Sequence, residues 1–409
     1  MEKLEQTVPG GRVAGQFDAR FKSVAERFAA NFSELGEVGA SVCITLNGET
    51  VLDLWGGRVV PDAPAAWNAD TVSIVFSSTK GATALCAHIL ADRGLLDLNA
   101  PVANYWPEFA RHGKEKVTVR MMLDHSAGVP VIREPLEKGD VNNWDLMCDK
   151  LANQAPFWEP GERHGYHALT FGWTVGELVR RVSGKSLGTF FRDEVAKPLG
   201  LDFWIGTPEL IESRVSPVIQ FKPEKGAPLL AFAQLALADR QSIPGLFIFN
   251  DGGFNPNRRD CHAAEIGGAN GMTNARGLAG MYAPLANGGT ARGVKLVSAD
   301  TVARMGQVSM ATHMDQTLLA PTRFALGYMK SMDNRPLTNM GNMILTERAF
   351  GHVGAGGSIG FADPSCGLSF GYTMNKMGEG ILLNARGQGL VDATYRALGF
   401  TSNAGGVWI

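Results

Sequence analysis

An α+β fold is what this sequence predicts: one antiparallel sheet assembled from both ends of the chain, flanked by helices, with a mainly helical domain inserted between the halves. Three observations carry it. β-Rich runs lie near both termini, apolar residues recur at helical spacing through the middle, and repeated strand–helix units of a parallel sheet are missing. On this reading residues 1–80 and 268–409 form a discontinuous sheet-bearing domain and 81–267 the helical one.

The elements follow in order. Phe17, Phe21, Val24, Phe28 and Phe32 recur every three or four residues, which places them on one helix face. Ala40–Leu46 and Thr50–Trp55 read as strands joined by Asn47-Gly48, a pair that takes the positive φ of a tight hairpin turn. The chain is thus expected to open helix, strand, strand. From Ser78 to Arg93, residues Ala82, Leu85, Cys86, Ile89 and Leu90 share a helical face, with Gly94 as a stop. Trp173–Val182 before Gly184 and Leu187–Ala196 before Pro198 are further helices. Residues 215–266, rich in proline and glycine, read as a long irregular excursion of the kind that often binds substrate or is disordered. Ala275, Leu278, Met281, Tyr282 and Leu285 restore a helix, capped by Thr273 or Asn274. Ser358–Ala362 and Leu368–Met374 are strands around a turn, and a helix through Leu390, Ala393, Thr394 and Leu398 closes the chain.

Bulk properties exclude several classes. The chain has 409 residues, 45% hydrophobic and 19% charged, with a net charge of −2 and no run of Lys and Arg to attract phosphate, so no nucleic-acid partner is expected. The longest apolar run, Leu229–Ala238, contains Gln234 and is half the ~20 residues a bilayer span needs, so no membrane partner is expected either. Met1–Gln6 lacks the apolar core of a secretory leader, and Cys43, Cys86, Cys148, Cys261 and Cys366 are odd in number and scattered. Both features predict a cytoplasmic protein with reduced thiols. His164 and His167 lie three apart without a Cys or carboxylate cluster to complete a metal site, and no cofactor is implied.

The chemistry gathers in three motifs. Ser77-Ser78-Thr79-Lys80 lies where a helix begins, and i, i+3 spacing lets the Lys80 amine reach the Ser77 hydroxyl. Serine needs an adjacent base to act as a nucleophile, and a lysine whose pKa is lowered by burial or a nearby cation can supply it. Alone, that motif reads as a helix cap with a solvated lysine. Tyr166, within Pro160–Ala168, offers a phenol that a nearby cation would help to ionise and that could shuttle a proton. Phe350–Ser358 is glycine-rich, so a strand edge there could approach substrate closely and offer a backbone N–H to an oxyanion. The motifs occur in an order that lets them converge.

With these residues the chain resembles the family VIII carboxylesterases, relatives of class C β-lactamases and D-alanyl-D-alanine carboxypeptidases. The resemblance runs from Phe17 to the last helix and includes Gly94–Leu98, Met122–Val129, Tyr166-His167-Ala168, Pro198–Leu201 and Gly351–Gly354. It implies the β-lactamase/penicillin-binding-protein-like fold and a serine hydrolase acting on small ester substrates of short to medium chain, with weak β-lactamase activity at most. Ser77 would be acylated, Lys80 and Tyr166 would act together as base and acid, and the backbone N–H groups of Ser77 and Ala355 would form the oxyanion hole. His352, Gly354, Trp158, His125 and Phe249 are expected at the substrate, with Trp173 and Phe247 as further aromatic candidates that serve equally as core.

Two departures from the β-lactamase pattern favour an uncharged ester. Tyr-x-Asn is Tyr166-His167-Ala168 here, so an amide is lost, and Lys-Thr-Gly is His352-Val353-Gly354, so a fixed cation for a substrate carboxylate is lost. Gly356-Gly357-Ser358-Ile359-Gly360 matches a nucleophile-elbow pattern, but it precedes a strand and no histidine follows it. The remaining readings are an acyltransferase or β-lactam hydrolase on the same site, a catalytically silent binding protein of the same fold, and an α/β-hydrolase using Ser358.

Overall fold

A computed structural model of the protein describes residues 1–61, 64–224, 226–337 and 341–409. Its centre is a seven-stranded antiparallel sheet. The strands are β1 (Glu2–Val8), β2 (Gly11–Phe17), β3 (Gly39–Leu46), β4 (Glu49–Gly57), β5 (Phe350–Val353), β6 (Ile359–Asp363) and β7 (Leu368–Met374). Their order is β1-β2-β4-β3-β7-β6-β5, so the two ends of the chain meet where β3 pairs with β7. Hydroxyl pairs reinforce that seam: Ser41 with Thr373 at 2.9 Å and Thr45 with Ser369 at 2.6 Å.

The chain opens strand, strand, helix, which corrects the expected order. The hairpin β1–β2 buries only Val8, Val13 and Phe17 and is otherwise charged or polar, so it lacks the alternation that marks a half-buried strand. Helix α1 (Lys22–Glu34) follows and buries Val24, Phe28 and Phe32 against one sheet face. Full burial of such a phenylalanine contributes roughly 1.5–3 kcal/mol. Asn47 (φ 52°) and Gly48 (φ 84°) form the expected β3–β4 turn.

Between the sheet halves run α2 (Thr79–Asp92) and α3 (Phe171–Ser183), packed on each other, with Gly184 (φ 71°) ending α3 in the left-handed conformation. Pro198 does not stop the helix that begins at Leu187. Leu187–Phe191 passes through a π-helical turn, Arg192–Ala196, into Lys197–Leu199. The wider i→i+5 bonding accommodates a proline that has no N–H to give. The stretch 215–266 is less irregular than expected: it holds Ala231–Ala238, Ile243–Phe249 and Arg259–Ala263 as helices, and its residue 225 lies outside the described residues.

Helix α4 (Ala275–Ala286), capped by Asn274 as expected, covers the second sheet face. It lies close because β6 and β7 carry glycines beneath it. A Cβ on Gly360 would stand 2.7 Å from the Tyr282 ring, and one on Gly371 would stand 2.3 Å from the Ala275 carbonyl. The closing helix α5 (Ala385–Ala397) packs beside α1 on the opposite face. One core cluster joins α2, α3 and α4; the other fills the space between the sheet, α1 and α5. No helix among the described residues is long and apolar enough to cross a membrane.

Candidate active site

Ser77 lies in the turn between the short strand Ser73–Ile74 and α2. The turn is pinned from several sides. Ser78 Oγ donates to the His352 carbonyl (3.0 Å), Ser358 Oγ to the Val75 carbonyl (3.0 Å), and Gly271 N–H to Thr79 Oγ1 (2.7 Å). Phe76, just before Ser77, is held at φ 43°, a left-handed conformation that costs a bulky residue about 1–3 kcal/mol and persists only where the surroundings enforce it. Ser358 is thus a buried tie between β5–β6 and the Ser77 turn, far from the strand-to-helix elbow its motif would need.

Lys80 is fully buried one helical turn on. Its Nζ lies 3.0 Å from Ser77 Oγ, 2.6 Å from the Ala168 carbonyl and 2.7 Å from the Gly268 carbonyl. Burial drives its pKa well below the usual lysine range. A neutral amine has two N–H groups and one lone pair. The carbonyls can only accept, so they take the N–H groups and leave the lone pair for the Ser77 hydroxyl.

Tyr166 stacks its ring 4.7 Å from Lys80 Nζ. Burial pushes its phenol above the ordinary tyrosine range, the Ser77 hydroxyl pulls the other way, and Asp315 raises it further. The phenol is therefore harder to ionise, not easier, because burial dominates. Tyr166 is thus held toward its protonated form beside the Ser77 hydroxyl. Its backbone is fixed by a residue the sequence did not flag. Tyr166 N–H donates to both oxygens of buried Asp315 (3.1 and 3.0 Å), which also accepts from the Thr317 and Leu318 N–H groups and lies 3.1 Å from His164 Nε2. An Asx-type turn at Asp315-Gln316-Thr317 was the only local signal for it.

Ser77 and Ala355 face one cleft, and among the described residues neither backbone N–H donates to a protein acceptor. The cleft has a volume of about 290 Å³ and a mostly apolar wall that includes Phe76, Leu169, Phe247, Ile248, Phe254 and Met329. Phe247 lies where an acyl-pocket aromatic was expected, and Trp173 lines a small apolar side pocket that shares Leu169, Phe247 and Asp251 with the cleft.

The structure places the five expected substrate contacts outside that wall. His352 is fully buried beside Tyr166, its Nδ1 2.7 Å from the Val353 carbonyl, and burial followed by the nearby Lys80 pushes its pKa down to about 3. Gly354 serves close approach: a Cβ there would fall 2.1 Å from the Val75 carbonyl. His125 is buried among Tyr166, His167, Phe171 and Phe324 and accepts the His167 N–H at 3.1 Å. Trp158 donates Nε1–H to the Ser126 carbonyl (3.1 Å) and packs on Gly165. Phe249, two residues past Phe247, points off the helix to solvent, where the Arg240 guanidinium lies 4.5 Å from its ring. Among the described residues no group of three or more His, Cys, Asp or Glu is arranged to hold a metal ion.

Known proteins resemble this chain in sequence and fold. The family model described as Beta-lactamase matches residues 26–391. The Esterase/beta-lactamase LipL of Mycobacterium tuberculosis is 37% identical over 372 residues, 90% of this chain and 84% of LipL. A crystal structure of a family VIII carboxylesterase superposes with a TM-score of 0.83 at 38% identity, covering 94% of this chain and 99% of that one. A penicillin-binding protein homologue from Caulobacter crescentus superposes with a TM-score of 0.83 at 34% identity over 94% and 99% of the two chains. By its matched length, its fold and its relatives, this chain belongs to the beta-lactamase family.

Proposed function

We propose that the protein is a carboxylesterase that hydrolyses short- to medium-chain esters through an acyl-Ser77 intermediate. The observation that carries this reading is the buried Lys80 amine, its pKa driven well below the usual lysine range, held 3.0 Å from a serine that opens on a mostly apolar cleft with no lysine or arginine among the described residues of its wall. A β-lactam carries a carboxylate and finds no cation there, which keeps that activity weak, whereas an uncharged ester loses nothing. The solved family VIII carboxylesterase supports an ester substrate, and LipL is named for both esterase and β-lactamase.

In the first half-reaction Ser77 Oγ bonds to the ester carbonyl carbon and its proton passes to Lys80 Nζ. The Ser77 and Ala355 N–H groups stabilise the oxyanion. The bond to the leaving alkoxide then breaks as Tyr166 gives that oxygen its proton and is reprotonated from Lys80. Water repeats the sequence on the acyl-enzyme and frees Ser77. The decisive experiment measures p-nitrophenyl acetate and butyrate hydrolysis by wild type and Ser77→Ala, each checked for folding by circular dichroism. A loss of about 10⁴-fold or more is expected; equal activity in the two proteins would overturn the assignment.

We also place the protein in the cytoplasm, on the strength of five cysteines that are all free. Recovery of the native protein in a secreted or periplasmic fraction would refute this.

A further inference from the structure

We propose that Asp251 sets the charge class of the substrate, so that the cleft takes esters bearing an ammonium group ahead of neutral ones, and neutral ones ahead of those bearing a carboxylate. This rests on the esterase reading above and narrows it.

Asp251 is the one charged side chain among the described residues of the cleft wall, which it shares with Ser77 and Tyr166. Among the described residues it forms no ion pair. Its Oδ1 accepts the Gly253 N–H at 2.8 Å, and among the described residues no protein donor reaches Oδ2. Lys138, which packs against Gly253, does not come within ion-pair distance.

Its position is fixed from both sides. On one side, the Asn250 side chain accepts the Leu136 N–H (2.8 Å) and donates to the carbonyls of Ile132 (2.9 Å) and Glu134 (2.8 Å). On the other, the Gly252 carbonyl accepts the Gly139 N–H at 2.8 Å. Gly252 (φ 66°) and Gly253 (φ 79°) are both left-handed and lie against Val141 and Lys138, an approach that side chains would block. The carboxylate is therefore held in place, half-buried beside apolar surface in the cleft wall. Such a charge attracts a substrate cation and repels an anion more strongly than it would in open water. His352, where a lysine would fix a substrate carboxylate, is buried outside the wall, so nothing offsets Asp251.

The test uses the full chain and kcat/KM ratios, so that a general loss of activity cancels. The p-nitrophenyl esters of γ-trimethylammonio-butyrate, of its neutral tert-butyl isostere and of monoglutarate are compared. Butyrylthiocholine and its neutral isostere cover the case in which the alcohol half faces Asp251. In wild type the cationic member of at least one pair should lead its isostere by about tenfold, and the anionic ester should trail by a similar factor. Raising the ionic strength should shrink both ratios, a readout that needs no variant. In Asp251→Asn, which keeps the acceptor for the Gly253 N–H, both ratios should move toward unity. Ratios unchanged in the variant, or equal use of cationic and neutral esters in both wild-type pairs, overturn the proposal. Failure of the underlying esterase reading looks different: the neutral ester would show no Ser77-dependent hydrolysis.

Discussion

Lys80 and Arg386 are both buried in this molecule, and their surroundings give them opposite characters. Lys80 lies beneath the cleft with a hydroxyl and two carbonyls for partners and no carboxylate. Arg386, on α5, meets the fully buried Glu37 with a 2.5 Å bond and donates to the Lys376 carbonyl at 2.7 Å, while Tyr372 donates its hydroxyl to the other Glu37 oxygen. Burial pushes the Glu37 carboxyl up and Arg386 pulls it back, while against its own burial Arg386 is held more firmly charged by Glu37. A buried base without a counter-charge becomes neutral and chemically available. One with a counter-charge becomes a bolt between the first and last parts of the chain.

The comparison can be broken from either side. The largest effect is expected from Lys80→Arg. A guanidinium stays charged and cannot take the Ser77 proton, so kcat should fall at least a thousandfold while the circular dichroism spectrum is retained. Arg386→Met should do the reverse. Leaving Glu37 buried and unpaired costs about 3–5 kcal/mol in chemical denaturation, with kcat per folded molecule unchanged. Comparable stability in Arg386→Met and wild type would mean that the pair is no bolt. Tyr166→Phe removes only the proton donor, and a loss of about a hundredfold in kcat is expected, largest for esters with poor leaving groups.

The pH dependence sharpens the contrast. In the proposed mechanism the neutral amine is the active form, so kcat/KM should fall as pH drops through the lowered Lys80 pKa and reach its plateau well below pH 10.5. His352, at about 3, cannot supply that limb. The stability linkage has a definite sign. Between the lowered folded pKa and 10.5 the unfolded chain binds the extra proton, so Lys80 burdens the fold less as pH rises. The unfolding free energy of wild type relative to Lys80→Met should therefore climb with pH across that window; a flat difference would show that Lys80 stays charged when folded. The smallest effect is expected at Phe247, which divides the cleft from its side pocket. Phe247→Ala should join the two and move the preferred acyl chain longer, by several-fold in kcat/KM.

Much of this was legible in the sequence because it is local. Ser77 and Lys80 stand at i and i+3 at the start of α2, and helix geometry alone brings them together. Asn47-Gly48, Gly184 and Asn274 announce their turn, stop and cap by conformational preference. The hairpin β1–β2 escaped notice because its faces are polar, and the helices of 231–249 because short apolar runs carry no clear period. Asp315 escaped notice because its partners, Tyr166 and His164, lie about 150 residues away.

The sequence by itself determined the fold class and the order of the motifs, which follow from the pattern of elements along the chain, and the serine–lysine pair, which follows from spacing over one helical turn. Only the tertiary structure decided that burial drives the Lys80 pKa down and the Tyr166 pKa up, that His352 is buried outside the cleft wall, and that Asp251 lies in that wall. Those outcomes depend on which distant segments exclude water from a group and which supply it with a charge, and neither desolvation nor a through-space charge is written in local sequence.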